Sequence, residues 1–257
     1  MTLLEVQDCG ISFGGLKALS GLSFSLKAQE LMAIIGPNGA GKTTFFNLLT
    51  GVYVPTSGEL RFQDTLLNPL KPQEINRLGV ARTFQNIRLF PDLSVLDNVR
   101  AACYQRVGYS LWDAVLAGKK FHAEEAAIAA EAEALLERFH LAEHRDERAK
   151  NLSYGDQRRL EMVRALATRP KLLLLDEPAA GMNASEKREL IELIRRLHEE
   201  LKLSILLIEH DMAVVMNLCP RILVLDYGVP IAEGTPEQIR SDPKVIEAYL
   251  GERAPKL

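Results

Sequence analysis

Apolar residues follow two rhythms along this chain. In Leu22-Ser23-Phe24-Ser25-Leu26 they alternate with polar ones, which predicts a strand with one buried face. Residues 31–35 form a continuous apolar run ending in Gly36-Pro37-Asn38-Gly39, so a buried strand should feed a glycine-rich turn. Residues 58–62 make another candidate strand in the same β-rich beginning of the chain. Three further apolar runs, at 172–175, 205–208 and 222–225, have helical segments between them. That alternation predicts a mainly parallel α/β sheet. From about residue 95 to 165 the pattern changes. The stretch from His122 to Phe139 is rich in Ala and Glu, and Ile128, Ala132, Leu135 and Phe139 recur at helical spacing. This predicts a helical subdomain inserted into an α/β core made of about 1–94 and 166–257, the whole forming a single domain.

Composition narrows the class. Of 257 residues, 47% are hydrophobic and 25% charged, the mixture of a folded chain rather than a disordered one. Net charge is −3, so nothing global favours a nucleic-acid backbone, and no nucleic-acid partner is expected. Cys9, Cys103 and Cys219 lack metal spacing and read as reduced thiols. Met1-Thr2-Leu3-Leu4-Glu5 has no basic region leading into an apolar one, so no export signal is expected. The apolar runs fall far short of the ~20 residues that span a bilayer. The subunit is not expected to cross a membrane by itself.

The strongest chemical signal is Gly36-Pro37-Asn38-Gly39-Ala40-Gly41-Lys42-Thr43-Thr44, which satisfies G-x-x-x-x-G-K-[ST] between a buried strand and a segment (Thr43 to Thr50) able to begin a helix. Glycines let such a loop curl until backbone N–H groups converge on phosphate oxygens, and the helix presents its positive end to the same anion. Lys42 would reach the β- and γ-phosphates, and the Thr43 hydroxyl would bind Mg²⁺. Kinases, GTPases and ATPases all carry this loop, so it identifies a nucleotide fold but not a task.

Asp176 and Glu177 follow the apolar run Leu172-Leu173-Leu174-Leu175. Ligands collect at the carboxyl ends of parallel strands, which brings both acids beside the phosphate loop. Asp176 is the candidate to hold Mg²⁺ through the ion's water shell. Glu177, one residue on, points elsewhere and is the candidate to polarise an attacking water. Either acid alone could equally end a strand and cap the next helix. His210 also sits at a strand's carboxyl end, where it could hydrogen-bond a γ-phosphate or simply pack.

At Asn151-Leu152-Ser153-Tyr154-Gly155-Asp156-Gln157-Arg158-Arg159 the chain resembles the signature motif of ATP-binding cassette (ABC) ATPases, placed shortly before the acidic pair as in that family. The resemblance runs from Leu3 to about Gly251. It implies a P-loop NTPase core with a mainly parallel sheet, an antiparallel β subdomain near the N-terminus and an inserted helical subdomain. By the same resemblance Gln85, in Arg82-Thr83-Phe84-Gln85-Asn86, is the Q-loop glutamine that senses Mg²⁺ and γ-phosphate. His210 is the switch histidine, and Ala180-Gly181-Met182-Asn183 holds the D-loop position. Phe13 lies where an aromatic stacks on adenine, though as an apolar residue in a strand it could also be core. Ser153, Gly155 and Asp156 would face the γ-phosphate held by a second subunit.

Phe13-Gly14-Gly15, Ile208-Glu209-His210-Asp211-Met212, Gly234-Thr235-Pro236-Glu237-Gln238-Ile239 and Ala248-Tyr249-Leu250-Gly251-Glu252 resemble one branch: the G-type ATP-binding subunit of branched-chain amino-acid importers. Tyr154 and Asp156 replace the commoner glycine and glutamine, which the branch tolerates. Asn183 replaces the usual D-loop aspartate. Followed by Glu186, it also reads as a helix cap, before a helix with Leu190, Ile194, Leu197 and Leu201 at helical spacing.

The resemblance implies an ATPase using ATP and Mg²⁺, paired head to tail with a second ABC ATPase subunit, a paralogue or itself. It also implies two transmembrane permease subunits, an extracytoplasmic solute-binding protein acting indirectly, and a peripheral position on the cytoplasmic face of the inner membrane. The apolar-basic stretch Asn86-Ile87-Arg88-Leu89-Phe90 is the candidate grip for a permease helix, against local packing as the plainer account. Urea or amide importers, non-transport ABC ATPases and phosphoryl-transfer kinases are the competing readings.

Overall fold

Alternating burial builds the first sheet. The computed structural model describes residues 1–108 and 118–251. β1 (Thr2–Phe13) sends Leu4, Val6, Cys9 and Ile11 inward and pairs antiparallel with β2 (Leu16–Lys27), which contains the expected 22–26 alternation. β3 (Leu31–Ile35) is buried at all five positions and runs through the glycine turn into α1 (Lys42–Leu49). β4 (Ser57–Phe62) pairs antiparallel with β1, and β5 (Thr65–Leu66) completes a four-stranded sheet in the order β2-β1-β4-β5. α2 (Pro72–Leu78) leads into β6 (Val80–Arg82), a short strand that the apolar pattern does not mark.

The chain forms two compact units, Met1–Gln85 with Lys171–Leu257, and Asn86–Pro170. The second contains α3 (Val95–Cys103), α4 (Lys119–Arg138) and α5 (Tyr154–Ala167). Ser94 caps α3 by accepting the Asp97 N–H at 3.0 Å. The buried stripe of α4 is Ile128, Ala132 and Leu136, continued by Phe139 just beyond the helix. Leu135, expected in the stripe, is only half-buried, because the seam drifts by one position at 3.6 residues per turn.

In the first unit, β7 (Leu172–Asp176) precedes α6 (Ala184–Leu201), whose cap is Asn183. The Asn183 Oδ1 accepts the Ser185 and Glu186 N–H groups, and Glu186 reciprocates on the Asn183 N–H at 2.8 Å. Leu190, Ile194 and Leu197 are buried; Leu201 is 42% exposed, because the helix stops at Lys202 in a left-handed conformation. β8 (Ser204–Ile208), α7 (Met212–Leu218), β9 (Arg221–Asp226), β10 (Val229–Gly234), α8 (Pro236–Ser241) and α9 (Pro243–Gly251) finish the described chain. Glu252, the last residue of the tail motif, lies outside the described residues.

The larger sheet has the order β10-β9-β3-β8-β7-β6, parallel except for β10. One apolar cluster takes in both sheets and α1: Leu4, Leu22 and Phe24 belong to it together with Phe45 and Phe46 of α1 and with Ile34, Leu174 and Leu206. Phe24 and Phe45 pack edge to face at 5.6 Å. Emptying the Phe45 position would cost about 3–5 kcal/mol, so α1 is held from both sides. No helix among the described residues is long and apolar enough to cross a membrane.

Candidate nucleotide-binding site

Strand register brings the chemistry to one level. Ile208 of β8 pairs with Ile34 of β3 on one side and with Asp176 of β7 on the other. The glycine turn after β3, Asp176-Glu177 after β7 and Glu209-His210 after β8 therefore leave the sheet together, at its carboxyl edge.

The turn has little room for side chains. Gly41 has φ +96°, and a Cβ there would lie 2.6 Å from the Ala18 carbonyl oxygen. Gly36 is tighter, since a Cβ added to it would stand 2.0 Å from the Leu225 carbonyl oxygen. Lys42 is 7% exposed, and its ammonium donates to the Gly36 and Pro37 carbonyls at 2.6 and 2.8 Å. It lies inside the curl, where an anion would draw it.

A cavity of about 530 Å³ opens over this turn. Of the expected residues, Phe13, Asn38, Gly39, Gly41, Lys42, Thr43, Thr44, Gln85 and Glu177 line it. Gly36, Asp176 and His210 are not in its lining: Gly36 meets it through Lys42, Asp176 directly precedes Glu177, and His210 stands beside Glu177. Phe13 is 45% exposed and meets Tyr53 edge to face at 5.1 Å, so it is not a core residue. Tyr227, 83% exposed in the turn between β9 and β10, contributes a further aromatic wall. Its turn is tied to the loop by the Gly228 N–H donating to the Ala40 carbonyl at 3.1 Å.

Glu177 adopts a left-handed backbone, φ +49°, uncommon for a residue with a Cβ. That turn takes its side chain off the strand direction. Gln85 Nε2 donates to Glu177 Oε2 at 2.8 Å, and His210 Nδ1 lies 3.6 Å from the same oxygen. The three residues expected to handle the reaction thus meet at one carboxylate oxygen.

Two charged residues matter here that the sequence pattern alone does not single out. Arg82 forms a buried ion pair with Asp176 at 2.7 Å. Glu209, fully buried, accepts the N–H groups of Ala179, His210 and Asp211 at 2.8, 3.0 and 3.2 Å. Burial pushes its carboxyl above the usual range, against the pull of those three donors. Glu209 ties the chain after Glu177 to the start of the His210 segment. A charged residue directly following a continuous apolar strand is the available signal for it. For Arg82 the signal is a basic residue at the start of the Gln85 motif.

Ser153, Gly155 and Asp156 belong to the second unit. Ser153 caps α5, accepting the Asp156 N–H at 3.2 Å and donating to Asp156 Oδ2 at 2.7 Å. Tyr154, the residue that departs from glycine, accepts from Arg158 Nη2 at 2.8 Å, and Arg158 pairs with Glu161. In the same unit, Glu161 Oε1 accepts the Arg88 N–H at 3.2 Å, Arg164 donates to the Arg88 carbonyl and its guanidinium lies 4.7 Å from the Phe90 ring centroid.

The donor set suits a nucleotide with a hard divalent cation. Thr43, Asp176 and Gln85 offer hydroxyl, carboxylate and amide oxygens, the types Mg²⁺ takes. Among the described residues no cluster of three His, Cys, Asp or Glu could hold a metal unaided. Such a cation would complete its shell from phosphate and water.

Residues 19–180 match the family model described as ABC transporter. The chain belongs to the ABC transporter family of ATP-binding proteins. Its C-terminal residues 229–255 match a second model, described as branched-chain amino acid ATP-binding cassette transporter. The chain is 48% identical to the Escherichia coli K12 protein called high-affinity branched-chain amino acid transport ATP-binding protein LivG, over 97% of this chain and 98% of that one. It is 43% identical, with the same coverage, to the corresponding protein BraF of Pseudomonas aeruginosa. Among solved structures, the ADP conformation of the ATP-binding cassette MJ1267 superposes with a TM-score of 0.84 at 32% identity, covering 98% of this chain and 99% of that one.

Proposed function

We propose that this ABC ATPase is the ATP-hydrolysing subunit of an importer of branched-chain amino acids, acting as one half of a pair that closes on ATP at the cytoplasmic face of a membrane. The observation that carries the reading is the meeting of Gln85, Glu177 and His210 at one oxygen, beside a phosphate loop whose lysine is already drawn inward. The similarity of nearly the whole chain to LivG and BraF supports the solute class.

The loop N–H groups and Lys42 would bind the β- and γ-phosphates, with Phe13 under the base. Thr43, Asp176 and Gln85 would hold Mg²⁺, which would draw negative charge off the transferring phosphoryl group. Glu177 orients a water and takes up its proton as the oxygen attacks the γ-phosphorus and the bond to ADP breaks. His210 holds the γ-phosphate from the other side. Gln85 holds Glu177 through its amide N–H, which leaves the amide oxygen as the group it would offer to Mg²⁺.

Ser153 at the start of α5 is a second anion-binding helix end, and one γ-phosphate bridging it to another subunit's loop would make ATP the adhesive of the pair. Phe90, 48% exposed, and Leu93, 41% exposed, offer the permease a surface. The Asn98 side chain fixes the Phe90 backbone from both sides, at 2.9 and 3.0 Å. Glu161 and Arg164 connect that surface to the signature helix. The test is reconstitution in vesicles with permease subunits and an external binding protein: leucine-class solute should raise ATP turnover. Stimulation by urea or short amides instead would reassign the solute.

A further inference from the structure

Arg82 ends β6 with its side chain 4% exposed. One Nη donates to Asp176 Oδ2 at 2.7 Å. The other donates to Asn47 Oδ1 at 2.7 Å and reaches Thr50 Oγ1 at 3.3 Å. Its guanidinium carbon lies 5.4 Å from the Phe46 ring centroid and 5.0 Å from that of Phe84, which holds the plane in place. These partners come from different elements. Asn47 stands one helical turn after Thr43 on α1, on the same face. Asp176 ends β7, and Arg82 itself leads into Gln85. The three residues assigned to Mg²⁺ hang from segments that converge on one guanidinium.

We propose that Arg82 is a positioning residue that fixes the spacing between Thr43 and Asp176 and so makes the site select Mg²⁺ over larger divalent cations. The proposal rests on Thr43 and Asp176 being the metal-holding pair. Mg²⁺ requires near-octahedral oxygen geometry at about 2.0–2.1 Å, whereas Ca²⁺ accepts looser shells at about 2.3–2.6 Å. A braced pair penalises the larger ion; a loose pair lets it in. Charge cannot produce this discrimination, because the guanidinium repels both dications alike. A planar fork can bond α1 and β7 simultaneously, and a lysine ammonium cannot reproduce that geometry.

The experiment titrates Mg²⁺ and Ca²⁺ into the full chain with a fluorescent, non-hydrolysable ATP analogue and reads the metal-dependent gain in binding. Arg82→Lys keeps the charge and removes the fork. Asn47→Ala combined with Thr50→Val keeps the buried ion pair and removes both hydrogen bonds from Arg82 to the α1 segment, so it carries the test should Arg82→Lys fail to fold. Each is expected to lower the Mg²⁺-to-Ca²⁺ preference fivefold or more, with metal-free nucleotide binding within twofold of the parent. Either variant keeping the parent preference overturns the brace. Asp176→Asn is expected to abolish the gain with both ions. Retention of the gain in that variant would remove the metal-pair assignment and the brace with it; its loss alongside an unchanged preference in the other two removes the brace alone.

Discussion

Gln85 Nε2 donates to Glu177 Oε2 across 2.8 Å, joining the last residue of one chain segment of the first unit to the residue that follows β7. The carboxylate that would face the water is thereby held in place by a neutral amide. Glu177→Gln keeps the size and removes the proton acceptor. It should bind ATP like the parent and hydrolyse about 10²–10⁴-fold more slowly. ATP-bound dimers should accumulate on size-exclusion chromatography. Parent-like turnover would remove Glu177 from the role.

Lys42 donates to two loop carbonyls, and phosphate oxygens would replace them as acceptors. Lys42→Ala should weaken ATP binding by roughly 10–100-fold, the worth of about 1.5–3 kcal/mol for hydrogen bonds to a charged group. Titration of fluorescent nucleotide measures it, with a thermal melt to separate binding from folding.

Gly41 combines positive φ with a carbonyl 2.6 Å from where a Cβ would sit. Gly41→Ala should cost about 1–3 kcal/mol of backbone strain, enough to lower Tm by several degrees. Nucleotide affinity should fall with it, since the loop N–H groups move together. An unchanged melt would mean that the loop relaxes freely.

Asp211 caps α7 and pairs with Lys187 at 2.6 Å. The Lys187 ammonium hydrogen-bonded to it holds its carboxyl below the usual range, with the Ala213 and Val214 N–H groups assisting. A depressed folded pKa contributes stability that is present above the ordinary aspartate value, about 3.9, and is lost as pH falls through the lower folded value. Asp211→Asn retains a capping oxygen and removes the charge. The parent should melt higher near neutral pH, and the two curves should converge in acid. A constant gap at every pH would assign the difference to packing.

Much of the fold is legible in the residues alone. β3, β7, β8 and β9 are buried on both faces, so their sequences are continuous apolar runs that need no context. The phosphate loop and the Asn183 cap depend on local backbone geometry, which local sequence encodes. β6 does not show, because three residues, one of them Arg82, give no periodicity. Arg82 and Glu209 escape for a related reason. Their partners are distant in sequence, Asp176 for one and Ala179 for the other, and a buried charge becomes intelligible only when its partner is in view. Leu201 and Leu135 mislead because a helical stripe marks a face without saying where neighbouring elements cover it.

The left-handed backbone at Glu177 has an evolutionary reading. Glycine would relieve about 1–2 kcal/mol at that position and make a sturdier protein with no carboxylate. Selection for robustness and selection for turnover therefore pull residue 177 in opposite directions. A lineage released from the need to hydrolyse ATP should drift there first.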